Sequence, residues 1–98
     1  MTAVFHPREG ATAELVEAFQ GVIPPIHEED GCLLYSIHAA DDGTITMIEK
    51  WATQEDLDAH SVGEPVARLR EAIAPYLSSP AVVTAMTPIP VGDSRGEV

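Results

Sequence analysis

Residues 32–39, Cys32-Leu33-Leu34-Tyr35-Ser36-Ile37-His38-Ala39, and residues 44–51, Thr44-Ile45-Thr46-Met47-Ile48-Glu49-Lys50-Trp51, flank the turn signal Asp41-Asp42-Gly43. Both segments carry β-branched and aromatic side chains, and Asp and Gly favour the backbone of tight turns, so the stretch reads as a β-hairpin. A three-residue loop sets Leu33, Tyr35, Ile37, Met47, Glu49 and Trp51 on one face, whereas a four-residue loop slips that register. In either register both faces keep apolar residues, unlike a sheet with one wet face. Something is therefore expected to cover each side.

On the N-terminal side of the hairpin, Gly31 supplies the positive φ that commonly ends a helix. Upstream, Leu15, Phe19, Val22 and Ile26, flanked by Val16 and Ile23, recur at helical spacing from Thr12, which is available as a cap. Pro24 and Pro25 lack amide donors and crowd the carbonyls of Gln20 and Gly21, so this helix must kink or restart there. Thr2–Phe5 reads as a first strand, stopped by His6-Pro7 and Gly10.

On the C-terminal side, Thr53 three residues before Asp56 opens a short helix to about His60, and residues 61–64 turn the chain. Pro65 suits the start of a second helix whose face is Val66, Leu69, Ile73, Tyr76 and Leu77, ending at Ser78-Ser79-Pro80. Ala81–Thr87 reads as the last strand. The order is βαββαβ, an α+β domain over residues 1–87. The tail, residues 88–98, holds two prolines and two glycines and is expected to be flexible or an arm lying on a partner.

At 98 residues the chain buries only about two thirds of its unfolded surface, a marginal core for one copy, and a second copy is expected to complete it. Five aromatic residues, Phe5, Phe19, Tyr35, Trp51 and Tyr76, leave few large anchors. With Lys+Arg at 5 against Asp+Glu at 16, the net charge of −11 repels nucleic acid and anionic membranes. The acids are dispersed apart from Glu28-Glu29-Asp30 and read as a solvated surface. One cysteine, Cys32, forms no internal disulfide and supplies no zinc cluster; a buried structural thiol is expected. With no signal-peptide pattern and no long apolar run, a cytoplasmic protein is expected.

Two segments, Glu28-Glu29-Asp30-Gly31-Cys32-Leu33-Leu34-Tyr35 and Glu49-Lys50-Trp51 followed by Asp56-Leu57-Asp58-Ala59-His60, resemble the antibiotic biosynthesis monooxygenase family. Its pattern is an acidic-Gly-Cys stretch into a strand with tyrosine, then Glu-x-Trp and a helix ending near Ala-His; Pro7-Arg8-Glu9-Gly10 matches too. The resemblance implies a ferredoxin-like fold in which two chains pair their sheets as a dimeric α+β barrel, with a pocket between sheet and helices. Some relatives are quinol monooxygenase-like and oxidise quinols or anthrones without metal or flavin; others degrade haem, isomerise, or have no assigned activity. Haem-degrading members have tryptophan and an axial histidine where this chain has His60 and Arg70, so haem is disfavoured. Many members also carry a second histidine where this chain has Glu64-Pro65.

Cofactor-free oxygenation needs a base to ionise a phenol or activated CH, because the anion can then pass one electron to oxygen. A histidine of ordinary pKa near ~6.5 suits the base, and Tyr hydroxyl or Trp indole N–H suits the anion. His60 is the candidate base, Trp51 and Tyr35 the pocket walls, and His38 and His6 further polar contacts. Plainer readings stand beside these: His60 as a helix-end cap, Trp51 as core or dimer contact, Glu49 in a buried ion pair at a subunit contact. The leading expectation is a homodimeric monooxygenase acting on a small aromatic quinol, anthrone or polyketide-type compound. A non-catalytic or stress-associated ligand-binding dimer and an isomerase are the alternatives.

Overall fold

The computed structural model describes residues 1–98 in full. Its elements are β1 (Thr2–Phe5), α1 (Thr12–Val22), α2 (Pro24–His27), β2 (Cys32–Ala39), β3 (Ile45–Trp51), α3 (Gln54–Ser61), α4 (Glu64–Ile73) and β4 (Val82–Thr84). The strands form one antiparallel sheet in the order β2-β3-β1-β4, the ferredoxin-like arrangement, with the helices against one face. The βαββαβ order holds, with each helical layer broken into two pieces. No helix is long and apolar enough to cross a membrane.

The first break lies at the proline pair. α1 stops at Val22 and α2 restarts at Pro24, where a ring without an N–H is tolerated in the first turn. Thr12 does not cap α1: it is the first helical residue, Ala11 holds the cap position, and no side chain caps that end. α4 stops at Ile73, earlier than expected, because Pro75 cannot donate to the helical ladder and crowds the carbonyl four residues back; Ala74–Tyr76 tighten into a 3₁₀ turn. The last strand is also shorter than expected, three residues rather than seven.

The hairpin adopts the register of a three-residue loop. Tyr35 pairs with Glu49, Ile37 with Met47 and Ala39 with Ile45, and the Ala40 amide donates to the Thr44 carbonyl at the loop's base. One member of the expected face is displaced: a bulge between Cys32 and Leu34 pairs Cys32 with Trp51 and leaves Leu33 exposed. The inner face then joins β1, whose Ala3 and Phe5 pair with Met47 and Ile45. Leu15 and Phe19 of α1, Ile26 of α2, and Leu69 and Ile73 of α4 close over it as one core. The Phe5 and Phe19 rings meet edge to face, 5.1 Å apart.

Candidate active site

β3 presents Glu49 and Trp51, two residues apart, on the inner face, with Tyr35 of β2 directly opposite Glu49. α3 approaches that end of the sheet because Thr53 caps it, its side chain accepting from the Asp56 amide. His60 in the last turn of α3 is thereby carried into the interior, only 4% exposed. Gly31 permits the close crossing below. Its φ is +76°, and a Cβ there would collide with the Asp56 carboxylate.

His60 is held between two carboxylates. Its Nδ1 lies 2.8 Å from Glu29 Oε2, a residue in the turn between α2 and Gly31, and its Nε2 lies 3.9 Å from Glu49 Oε1. The same Glu49 oxygen accepts the Trp51 indole N–H at 3.1 Å. Trp51 packs on the imidazole with ring centres 4.4 Å apart and a tilt of 31°, while the Tyr35 ring meets it edge-on at 5.4 Å. A carboxylate can only accept, so Nδ1 bears the hydrogen of the neutral ring and Nε2 keeps its lone pair.

Between this cluster, β1 and α4 lies a cavity of ≈ 360 Å³, within the ~300–1,000 Å³ usual for small-molecule sites. Its walls are mainly apolar, including Ala3, Phe5, Val66, Leu69 and Ile73, while Tyr35, Glu49, His60 and Arg70 supply chemistry. No side-chain nitrogen or oxygen sealed from solvent lacks a hydrogen-bond partner. Three atoms here have no partner in the chain: the Tyr35 hydroxyl, His60 Nε2 and the second Glu49 oxygen. They are therefore not sealed, and all three residues line the cavity. Burial pushes the Tyr35 phenol far above its ordinary range, with Glu49 and Glu29 adding to the rise and Arg70 opposing it, so the hydroxyl remains a donor. The Cys32 thiol is half-buried and is likewise pushed up, first by burial and then by Glu29 and Glu49. No three His, Cys, Asp or Glu side chains come close enough to hold a metal ion.

The residues picked out from sequence are thus only partly brought together. His60 and Tyr35 line the cavity; Trp51 does not, and packs behind His60 instead. His38 is exposed on the outer face, paired with Thr46, because it stands one residue out of phase with Ile37. His6 is half-buried past the end of β1, its carbonyl accepting from the Ser78 amide and hydroxyl, and it too stays outside the cavity. The pocket contacts expected of Trp51, His38 and His6 are absent. Glu49 is buried and points inward, toward Trp51 and His60. Glu29 was hidden in an acidic run that read as solvated surface, and its partner lies 31 residues away.

Residues 1–72 match the family model described as antibiotic biosynthesis monooxygenase. The chain belongs to the antibiotic biosynthesis monooxygenase family. A relative in Mycobacterium tuberculosis, Rv0793, a candidate monooxygenase by name, is 30% identical over 88 residues, 89% of this chain and 87% of that protein. The structure of Rv0793 superposes with a TM-score of 0.80 at 28% identity, covering 90% of this chain and 91% of that one. A candidate antibiotic biosynthesis monooxygenase from Nitrosomonas europaea shares the fold at a TM-score of 0.74 and 18% identity, over 83% of this chain and 87% of that one. Antibiotic biosynthesis monooxygenase family membership thus covers the elements that build the cavity as far as α4.

Proposed function

We propose that this family member is a cofactor-independent monooxygenase that oxidises a small aromatic quinol, anthrone or related polyketide-type compound with O₂, using His60 as the base. The observation that carries the reading is the buried Glu29–His60 pair, which leaves Nε2 with a free lone pair on a residue that lines a mainly apolar cavity. The name of the Mycobacterium tuberculosis relative points the same way.

On this reading His60 Nε2 takes the proton of an activated CH or phenol, and Glu29 holds the ring oriented as it becomes cationic. The substrate anion gives one electron to O₂, and the two radicals recombine to form a C–O bond as a peroxide anion. His60 returns its proton to give the hydroperoxide. Loss of water then leaves a carbonyl, so R₂CH₂ and O₂ become R₂C=O and H₂O. Tyr35 donates to the developing oxyanion, which gains more in a dry site than in water.

The outer sheet face supports pairing with a second copy, because Val4, Leu34 and Ile48 remain only half-buried there and Val82 is 55% exposed. Sedimentation equilibrium would give a dimer mass; a monomer at micromolar concentration would sink that part of the reading. For the chemistry, the test is O₂ uptake against a panel of quinols and anthrones with His60→Ala in parallel. An isomerase would instead turn over its substrate anaerobically.

A further inference from the structure

The four arginines of this chain are not equivalent. Arg68 and Arg95 are spent in local ion pairs with Glu64 and Asp93. The side chain of Arg70, exposed on α4 two residues from Arg68, makes no ion pair or hydrogen bond; neither does that of Arg8, which lies away from the cavity. For Arg70 the reason lies in helical spacing. Its neighbours three and four positions away are Val66, Ala67, Ile73 and Ala74, so no carboxylate on α4 can reach it. Arg68, by contrast, has Glu64 four residues behind. Arg70 is also the one cationic side chain lining the cavity.

The cavity therefore separates acceptors from donors. His60 Nε2 and the free Glu49 oxygen accept, and Glu49 brings negative charge. The Tyr35 hydroxyl and the Arg70 guanidinium donate, and both residues line the same cavity. A neutral aromatic would use the acceptors through its own hydroxyl and leave the guanidinium without a partner. An anion entering a chain of net charge −11 would be repelled unless a cation met it at the site. A guanidinium and a hydroxyl lining one cavity supply the donors that a planar carboxylate accepts from.

We propose that the site selects aromatic substrates that carry a carboxylate, held by Arg70 and Tyr35, while the reacting hydroxyl or CH faces His60 and Glu49. This deepens the oxygenase reading and rests on it for the reacting group. The binding preference itself needs no turnover, which lets the two be separated by experiment.

The test is equilibrium binding under nitrogen of a dihydroxynaphthoic acid and of the dihydroxynaphthalene that lacks its carboxyl group, to wild type, Arg70→Gln and Arg70→Lys. Wild type is expected to bind the acid at least about tenfold more tightly, a preference that shrinks as salt is raised. Arg70→Gln should lose that preference with the neutral quinol unaffected, and Arg70→Lys should keep part of it. Equal binding of the two probes by wild type, loss of both in Arg70→Gln, or binding of neither overturns the assignment. O₂ uptake on the same acid is measured separately: absence of uptake with the preference intact removes the oxygenase reading and leaves the carboxylate site standing.

Discussion

Replacing Glu29 by Gln changes one atom type and one charge while keeping the side chain's shape, so it isolates what the carboxylate does for His60. The 2.8 Å contact is shielded, with the two side chains 5% and 18% exposed. A hydrogen bond to a charged group contributes about 1.5–3 kcal/mol net against about 0.5–1.5 for a neutral one, a difference of about 1–1.5 kcal/mol. At about 1.4 kcal/mol per factor of ten, kcat should fall about tenfold if the amide oxygen still accepts from Nδ1. If the amide turns its NH₂ toward Nδ1, the tautomer reverses and Nε2 loses its lone pair. The loss then approaches the ~10⁴-fold that a mis-set tautomer causes in a Ser-His-Asp triad. Glu29 does not line the cavity, so KM should stay within about twofold. The assay is steady-state O₂ uptake, with urea unfolding to show that the fold is kept. A kcat equal to wild type, or a defect confined to KM, would refute the positioning role.

Two further variants have expected outcomes. Tyr35→Phe should leave stability at neutral pH within about 1 kcal/mol of wild type, because the hydroxyl has no partner in the chain, and yet lower kcat/KM. The same variant tests the alkaline limb: the folded Tyr35 phenol sits above its ordinary value, so above about pH 10 the unfolded chain loses that proton first and stability falls as pH rises. Urea titrations should show a shallower alkaline loss in Tyr35→Phe, and a slope identical to wild type would count against the buried phenol. Gly31→Ala should cost at least about 1–2 kcal/mol, since φ is +76° and the new Cβ meets Asp56; an unchanged urea midpoint would contradict the close crossing.

Strand positions were readable where alternation and turn chemistry agree. β1 and β2 begin and end where composition sets them, and Asp41-Asp42-Gly43 fixes a loop that places Tyr35 against Glu49. The bulge at Leu33 was not readable, because an extra residue in a strand leaves no mark on composition, yet it decides that Cys32 rather than Leu33 shares the face of Trp51. Pro75 was legible in principle, since it forbids the helix that the apolar spacing of Tyr76 and Leu77 suggests. The site follows the same division. His60 stood out through the short capped helix that carries it, whereas Glu29 joins it across 31 residues and Arg70 matters through the carboxylates it fails to meet. Parity in β2 explains His38: it follows Ile37 and so faces the other side of the sheet.

The most direct measurement is ¹⁸O₂ incorporation by the purified protein and by His60→Ala, with an anthrone or quinol that wild type binds. One labelled oxygen in the product and the other in water, with the rate lost in His60→Ala and the fold intact, is the expected result. Unlabelled product, or a His60→Ala rate equal to wild type, would contradict a histidine-based monooxygenase at this cavity.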